Sequence, residues 1–289
     1  MRSGFKYFIM KYILICLLSL PSLLLAQTTL KAIVINSKGE PLPLTNIVLV
    51  KSIAGTITND EGQFNLAVSL PTDSIKISNI AYYPKLVAAS DLKKNDTITL
   101  SENIQQLNEI VLRNFSNYKT NTTLGFYDYS NKGSFALGPG NQLATYIANK
   151  QGQEGWIKGV SFKVKQLGKC KNSMRIRILQ MDSMKFMPAM DILDENVIIK
   201  SDDLKKQNYI DLSAFKIILT KEGLFVVLEW LYPDRDCDLN MYTSLSATLA
   251  EPANIVWFNF RDNTWTKDKR PRLPNGNYMT PNVGLKVAY

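Results

Sequence analysis

Short segments in which apolar and polar residues alternate recur about every ten positions between residues 30 and 112. The clearest is 74–79 (SIKISN), with Ile75 and Ile77 on one face and Lys76 and Ser78 on the other. Turns rich in Asn, Asp, Gly and Pro separate the segments, and no stretch has the sustained 3.6-residue period of an amphipathic helix. The pattern predicts an antiparallel β-sandwich with strands at residues 30–35, 44–50, 56–58, 63–68, 74–79, 85–87 and 96–100.

A second set of strand-like segments follows an Asn/Thr/Ser-rich stretch at residues 113–123. Residues 224–230 (LFVVLEW) are nearly all apolar, which is typical of a central strand buried on both faces. Eight or nine such segments fit a jelly-roll-like sandwich. The predicted fold class is all-β, with two tandem antiparallel β-sandwiches at residues 27–112 and 124–289, joined by a linker at 113–123.

The first 26 residues have the layout of a signal peptide. Arg2, Lys6 and Lys11 precede an apolar run of about 14 residues, which is shorter than the ~20 residues that a membrane-spanning helix needs. Ala26 supplies a small residue at the predicted cleavage site. Export with cleavage is the prediction, and an uncleaved N-terminal anchor is the alternative. After cleavage no transmembrane span is expected.

Charge and composition exclude several functions. Removing three basic residues with the leader lowers the formal net charge from +9 to +6, and the basic residues form no long stripe with interleaved aromatics. No nucleic-acid partner is therefore predicted. The chain contains no histidine, which removes Ser-His-Asp and Cys-His catalysis and every zinc site that uses imidazole. No cofactor is predicted.

Two sets of residues in the second half are considered, one as a disulfide bond and the other as a metal site. Cys170 and Cys237 remain after leader removal, and an even pair in an exported chain predicts a disulfide, with two separate buried thiols as the alternative. Asp234, Asp236 and Asp238 alternate as at the start of a calcium loop, but the glycine and the glutamate that such a loop needs are missing. A solvated loop is the preferred interpretation, and no metal site is predicted.

Aromatic and acidic side chains are the remaining candidates. Trp230 and Trp257 lie in apolar segments, which predicts core positions, whereas Trp156 and Trp265 have polar neighbours and are the candidate ligand-binding platforms. Glu229 is the one acid in an otherwise apolar strand. It is the candidate around which a carboxylate-only hydrolase could be built, although an outward-facing glutamate is the more common arrangement.

Several spaced motifs of the first half carry a family resemblance: residues 32–36 (AIVIN), 39–42 (GEPL), 55–64 (GTITNDEGQF), 75–82 (IKISNIAY) and 107–112 (LNEIVL). Together they resemble the carboxypeptidase-regulatory-like domain, a transthyretin-type β-sandwich of exported Gram-negative envelope proteins. Ala32 and Ala81 replace glycines of the family pattern.

The resemblance implies a fold and a location without an activity. The domain accompanies zinc carboxypeptidases, whose histidine ligands this chain lacks, and it also precedes TonB-dependent transporters. More weakly, the second half resembles an uncharacterised β-sandwich of envelope proteins through residues 139–140, Ala144, and residues 175–178, 211–213 and 224–230.

The sequence thus predicts a non-catalytic exported protein, periplasmic or associated with the outer membrane or cell surface. It would act as a binding or scaffold module through its C-terminal sandwich, with an envelope protein or a glycan as partner. The alternative is a carbohydrate-binding protein that uses Trp156 and Trp265. A carboxylate-only hydrolase is the third class.

Overall fold

The computed structural model describes residues 28–52, 54–69, 72–80, 82–93, 95–103, 115–127, 131–170, 172–193, 195–233, 242–250, 256–259, 264–268 and 278–289. Its regular elements are β-strands and four short 3₁₀ turns, at Ala89–Asp91, Phe115–Asn117, Ser201–Asp203 and Ser213–Phe215. The predicted all-β class of two tandem sandwiches is confirmed.

The described residues of the first domain form seven strands in two sheets. The strands are β1 (Thr28–Ile35), β2 (Asn46–Leu49), β3 (Gly55–Ile57), β4 (Gln63–Val68), β5 (Ser74–Ser78), β6 (Lys85–Ala88) and β7 (Asp96–Thr99). Sheet I has the order β4-β1-β7 and sheet II the order β3-β2-β5-β6. Pairing is antiparallel apart from β1 with β7, which run parallel. The core lies between the two sheets and includes Val34, Ile47, Phe64, Ile75, Ile77 and Ile98.

The second domain is larger. Its strands are β8 (Asn121–Gly125), β9 (Gly133–Ala136), β10 (Gln142–Ile147), β11 (Gly155–Gln166), β12 (Met174–Asp182), β13 (Met187–Asp191), β14 (Val197–Ile199), β15 (Gln207–Asp211), β16 (Ile218–Leu219), β17 (Leu224–Trp230), β18 (Ser244–Ala250), β19 (Val256–Asn259), β20 (Trp265–Lys267), β21 (Tyr278–Pro281) and β22 (Val283–Ala288). β8 begins at Asn121, inside the segment that the sequence assigned to a linker, and pairs with β22.

Two sheets enclose the main core of this domain. Sheet III has the order β13-β12-β17-β10-β19-β20, with β14 beside β12. Sheet IV has the order β21-β18-β11-β22-β8. In addition, β15 and β16 pair with β11, and β9 pairs with β18. Strands β10, β11 and β12 follow one another in the chain and alternate between the two sheets. In the core, side chains of β11, β18 and β22 pack against those of β10, β12 and β17. β17 is buried along its whole length, as its composition predicted.

The outer face of sheet III, which points away from the main core, carries a second and smaller cluster. It consists of Ala144, Leu179, Phe225 and Val227. The two end strands of this sheet, β13 and β20, come within contact distance of each other. The sheet is therefore curled, and its outer face is concave.

Candidate functional site

A buried ion pair occupies the outer face of sheet III. Arg175 on β12 lies directly opposite Glu229 on β17 in the strand register, and Nη1 donates a hydrogen bond to Oε2 at 3.0 Å. The two side chains are 2% and 1% exposed. Leu228 and Trp230 point into the main core, so alternation along the strand turns Glu229 to the opposite face.

The first domain supplies the other partners of this ion pair. Asn46 on β2 donates from Nδ2 to Oε1 of Glu229 at 3.0 Å, and Arg175 donates from Nη2 to the backbone oxygen of Leu44. Leu44 has a left-handed backbone with φ of 54°. Lys76 of β5 is also buried there. Glu229 and Arg175 therefore form the centre of the junction between the two domains.

The electrostatics of the junction favour the ionised carboxylate. Burial by itself would raise the pKa of Glu229, but the positive charges of Arg175, Arg177 and Lys76 outweigh it, and the pKa is lowered from its usual value. With both oxygens accepting hydrogen bonds and no proton to give, Glu229 has the properties of a structural anion rather than of a general acid.

Neutral contacts extend the junction across the outer face of sheet II. The hydroxyl of Tyr232 donates to the backbone oxygen of Ala54 at 3.4 Å, and Asn196 donates from Nδ2 to Oδ1 of Asn79 at 3.3 Å. The ring of Tyr232 lies over Gly55, where a Cβ would come within 2.2 Å of Cζ. The second domain thus covers a strand face that the sequence pattern marked as polar.

Lys76 shows what the sequence pattern could and could not predict. Its side chain lies on the face opposite to Ile75 and Ile77, as predicted from the alternation. That face is not exposed to solvent at this position, because Lys76 is only 3% exposed beneath the second domain.

A second ion pair lies one step further along the same face of sheet III. Arg177 contacts both carboxylate oxygens of Asp191 through Nε and Nη2, and Nη1 donates to Oε1 of Gln142 at 2.9 Å. Burial opposes the charge of Arg177, but Asp191 outweighs that effect and raises the pKa of the guanidinium. This ion pair is partly exposed, and it connects β12 with β13 at one edge of the concave face.

Two tryptophans occupy the opposite edge of the concave face. Trp257 on β19 is paired with Lys267, and Trp265 on β20 with Asn259, so these four side chains share one face. Both indoles are half-buried and pack on the Ala144 cluster. Trp230 is fully buried in the main core, and Trp257, also predicted to pack in a core, packs on this smaller cluster instead of the main one.

Two polar atoms on this edge have no hydrogen-bond partner in the part of the chain that the structure describes. They are Nε1 of Trp257, a donor, and Oδ1 of Asn259, an acceptor. Buried polar atoms are usually paired. A buried donor and a buried acceptor without partners thus lie next to the ring of Trp265.

Trp156 lies elsewhere. It is on β11 in sheet IV, so the structure does not bring the two predicted platform residues together. Lys158 places Nζ 3.3 Å from the centroid of the Trp156 ring, and the ring of Phe115 approaches edge-on at 4.9 Å. Protein side chains therefore already occupy the surroundings of this indole.

The other candidate residues of the sequence lie largely outside the described residues. Cys170 is buried and disulfide-bonded, but the structure does not describe its proposed partner, Cys237. Asp234, Asp236 and Asp238 fall in the same undescribed segment. Within the described ranges, no group of three or more Cys, Asp or Glu side chains could hold a metal ion.

A polar cleft of about 530 Å³ lies in the first domain. Its lining residues come from β1, the β3–β4 hairpin and the turn before β7. Sequence reasoning missed this cleft because its amide side chains are scattered along the chain and each is ordinary for an exposed strand or turn.

Comparison with known proteins identifies the first domain. Residues 32–112 match the CarboxypepD_reg-like domain family, and the first domain is a CarboxypepD_reg-like domain. A 100-residue stretch is 32% identical to the TonB-dependent receptor SusC of Bacteroides thetaiotaomicron, which corresponds to 34% of this chain. The chain covers only 10% of that receptor's length. None of the described residues forms a helix with the length and apolarity needed to cross a membrane.

Proposed function

We propose that this protein is a non-catalytic exported component of the cell envelope, in which the second sandwich acts as a binding or scaffold module. The observation that carries the proposal is the buried junction around Glu229 and Arg175, to which both domains contribute. Such a junction fixes the orientation of the second sandwich on its CarboxypepD_reg-like base. A fixed orientation suits a scaffold that presents one surface to a partner.

The state of Glu229 supports a non-catalytic role. A general acid needs a pKa near the working pH and access to substrate. This carboxylate is 1% exposed, it is engaged by Asn46 and Arg175, and its pKa is lowered. The absence of histidine further narrows the available chemistry. A carboxylate-only hydrolase centred on Glu229 is therefore disfavoured.

The envelope location is supported by three features. The N-terminal 26 residues have the layout of a signal peptide. The first domain belongs to the CarboxypepD_reg-like family, and part of the chain is similar to a TonB-dependent receptor. We propose an exported protein in the periplasm or at the outer membrane.

The first domain covers the outer face of sheet III around Glu229 and Arg175, so the proposed binding surface is the edge formed by Trp265 and Lys267, which are half-buried. Tryptophan is one of the residues that most often dominate the binding energy of protein interfaces. The proposed partner is another envelope protein.

Site-specific photo-crosslinking in cells of the native host tests this surface. A photoreactive phenylalanine replaces Trp265 in one variant and Tyr209, a 48% exposed tyrosine of sheet IV, in the control. The proposal predicts a discrete adduct from position 265 that is missing from position 209. No adduct from position 265, or identical adducts from both positions, would contradict it.

Carbohydrate binding is the second candidate function, and the edge of sheet III gives a specific reason for it. The half-buried rings of Trp257 and Trp265 share one face, and the partly exposed Lys267 lies directly opposite Trp257 on that face. Aromatic rings with adjacent hydrogen-bonding groups suit sugars, which have apolar faces and polar edges.

A glycan array distinguishes the two candidate functions. Because Trp156 and Trp265 lie in different sheets, they are replaced separately by alanine. Sugar binding at the proposed face predicts that Trp265→Ala abolishes binding while Trp156→Ala retains it. If the wild-type protein binds no glycan, the carbohydrate candidate is rejected and the protein-partner candidate stands.

A further inference from the structure

The cleft of the first domain lies on the outer face of sheet I. Residues of β1 alternate between the core and this face, so Leu30, Ala32 and Val34 are buried while Lys31 is exposed and Ile33 is half-buried. Strand pairing places Lys31 directly opposite Asn65 and Ile33 opposite Gln63. The four side chains therefore form a compact patch at the centre of the cleft.

The walls of the cleft are formed mainly by hydrogen-bonding groups. Besides Lys31 they include the amides of Asn59, Gln63, Asn65 and Asn95 and the hydroxyl of Thr56. Ile33 and Ile57 give the cleft a small apolar area. At about 530 Å³ it falls in the size range of ligand sites, roughly 300–1,000 Å³.

Most of these polar groups are not used by the protein itself. The side-chain amides of Gln63, Asn65 and Asn95 make no hydrogen bond within the described part of the chain. Oδ1 of Asn59 accepts from the backbone N–H of Gln63 at 2.7 Å, and the hydroxyl of Thr56 donates to the backbone oxygen of Ile57 at 3.4 Å. The cleft thus offers several donors and acceptors at once.

The charge of the cleft is positive. No aspartate or glutamate lines it, and the described residues provide no ion-pair partner for Lys31. An ammonium group among neutral amides favours a ligand with one carboxylate and several further hydrogen-bonding groups.

We propose that this cleft binds a carboxylate-bearing sugar, such as a uronic acid unit. Hydroxyl groups both donate and accept, as do the amide side chains that line the cleft. An extended peptide would need pockets for apolar side chains, and the two isoleucines provide little such surface. The proposal does not depend on the function assigned to the concave face of sheet III.

Nuclear magnetic resonance titration of the ¹⁵N-labelled protein tests the proposal. The probes are methyl glucuronide, methyl glucoside as its neutral counterpart, and acetylalanine as a carboxylate without sugar. Lys31→Met removes the ammonium of the cleft, and Lys38→Met is the control, because Lys38 is exposed in the turn after β1 and does not line the cleft.

The proposal predicts that methyl glucuronide shifts backbone amide signals of β1 and β4. The glucoside and acetylalanine should each bind at least about tenfold more weakly, and Lys31→Met should weaken glucuronide binding by a similar factor, since a hydrogen bond to a charged group contributes at least that much. Lys38→Met should bind as the wild type does. The proposal is overturned by no shifts in the cleft at tens of millimolar glucuronide, by equal binding of acetylalanine, or by undiminished binding to Lys31→Met.

Discussion

At the residue scale, the account depends on Glu229, whose carboxylate receives hydrogen bonds from both domains. Asn46 donates to one carboxylate oxygen and Arg175 to the other, and the positive charge of the buried Lys76 also acts on Glu229. Buried charges of this kind contribute little net stability compared with apolar residues of the same size, but removing one partner leaves the others uncompensated.

Replacement of Glu229 by alanine is therefore expected to destabilise the protein strongly. The free energy of unfolding should fall by about 3–5 kcal/mol, because Arg175 would stay buried without the carboxylate that pairs with it. Guanidinium unfolding followed by tryptophan fluorescence measures the change. Glu222→Ala, at a solvent-exposed acid, is the control and should leave the unfolding midpoint in place. Equal midpoints for all three proteins would contradict a structural role for Glu229.

The lowered pKa of Glu229 predicts how stability depends on pH. A carboxylate whose pKa is lower in the folded than in the unfolded protein contributes stability above the unfolded value, here about 4.5. The contribution is lost as pH falls through the folded pKa. Unfolding free energies measured between neutral and acidic pH should fall more steeply below about pH 4.5 for the wild type than for Glu229→Gln. Parallel pH profiles would show that the carboxylate charge has no such effect.

The sequence indicated some of these residues and not others. Glu229 was recognisable because an acid in an apolar strand is unusual. Lys76 was not, because alternation reveals which face a side chain occupies but not whether another domain covers that face. For a related reason, the apolar segment around Trp257 predicted core packing but not which face of the sheet provides it.

At the scale of elements, alternation located most strands of the first domain within one or two residues. β4 and β17 occur at their predicted bounds. β18 was missed because its sequence, SLSATLA, is rich in small and polar residues. It is nevertheless buried on both faces, at Ser246 and Thr248 as well as at Leu245 and Ala247. Small polar residues fit a closely packed sheet, but they give no apolar signal.

The contact between β3 and the segment after β17 gives a prediction about packing. Gly55→Ala should lower the free energy of unfolding by about 1–3 kcal/mol, because the new Cβ would overlap the ring of Tyr232. In a Tyr232→Ala background, the part of that cost due to the ring should disappear. The remaining cost arises from the backbone oxygen of Ile47, 2.7 Å from the same Cβ position.

A double-mutant cycle on Gly55→Ala and Tyr232→Ala measures this coupling. The structure predicts a coupling energy well above the error of the unfolding measurements. Strictly additive effects of the two substitutions would mean that Tyr232 does not pack on Gly55 and that the junction is looser than described.

At the scale of the whole molecule, the two sandwiches share a buried polar boundary. One face of sheet II packs on the first domain's own core and the other on the second domain, so residues such as Val48 are buried although they lie outside that core. Sequence patterns alone could predict two domains, since each has its own apolar alternation. They could not predict the docking, because the partners in the junction are 117 to 183 residues apart in the chain.

Glu229 joins the two domains into one structural unit. Hydrogen–deuterium exchange of the first domain in the Glu229→Ala variant tests it most directly, since the substitution lies in the other domain. The account predicts faster exchange in β2 and β5 than in the wild type, with no change in an Asp211→Ala control on sheet IV. Unchanged exchange in β2 and β5 of Glu229→Ala would contradict it.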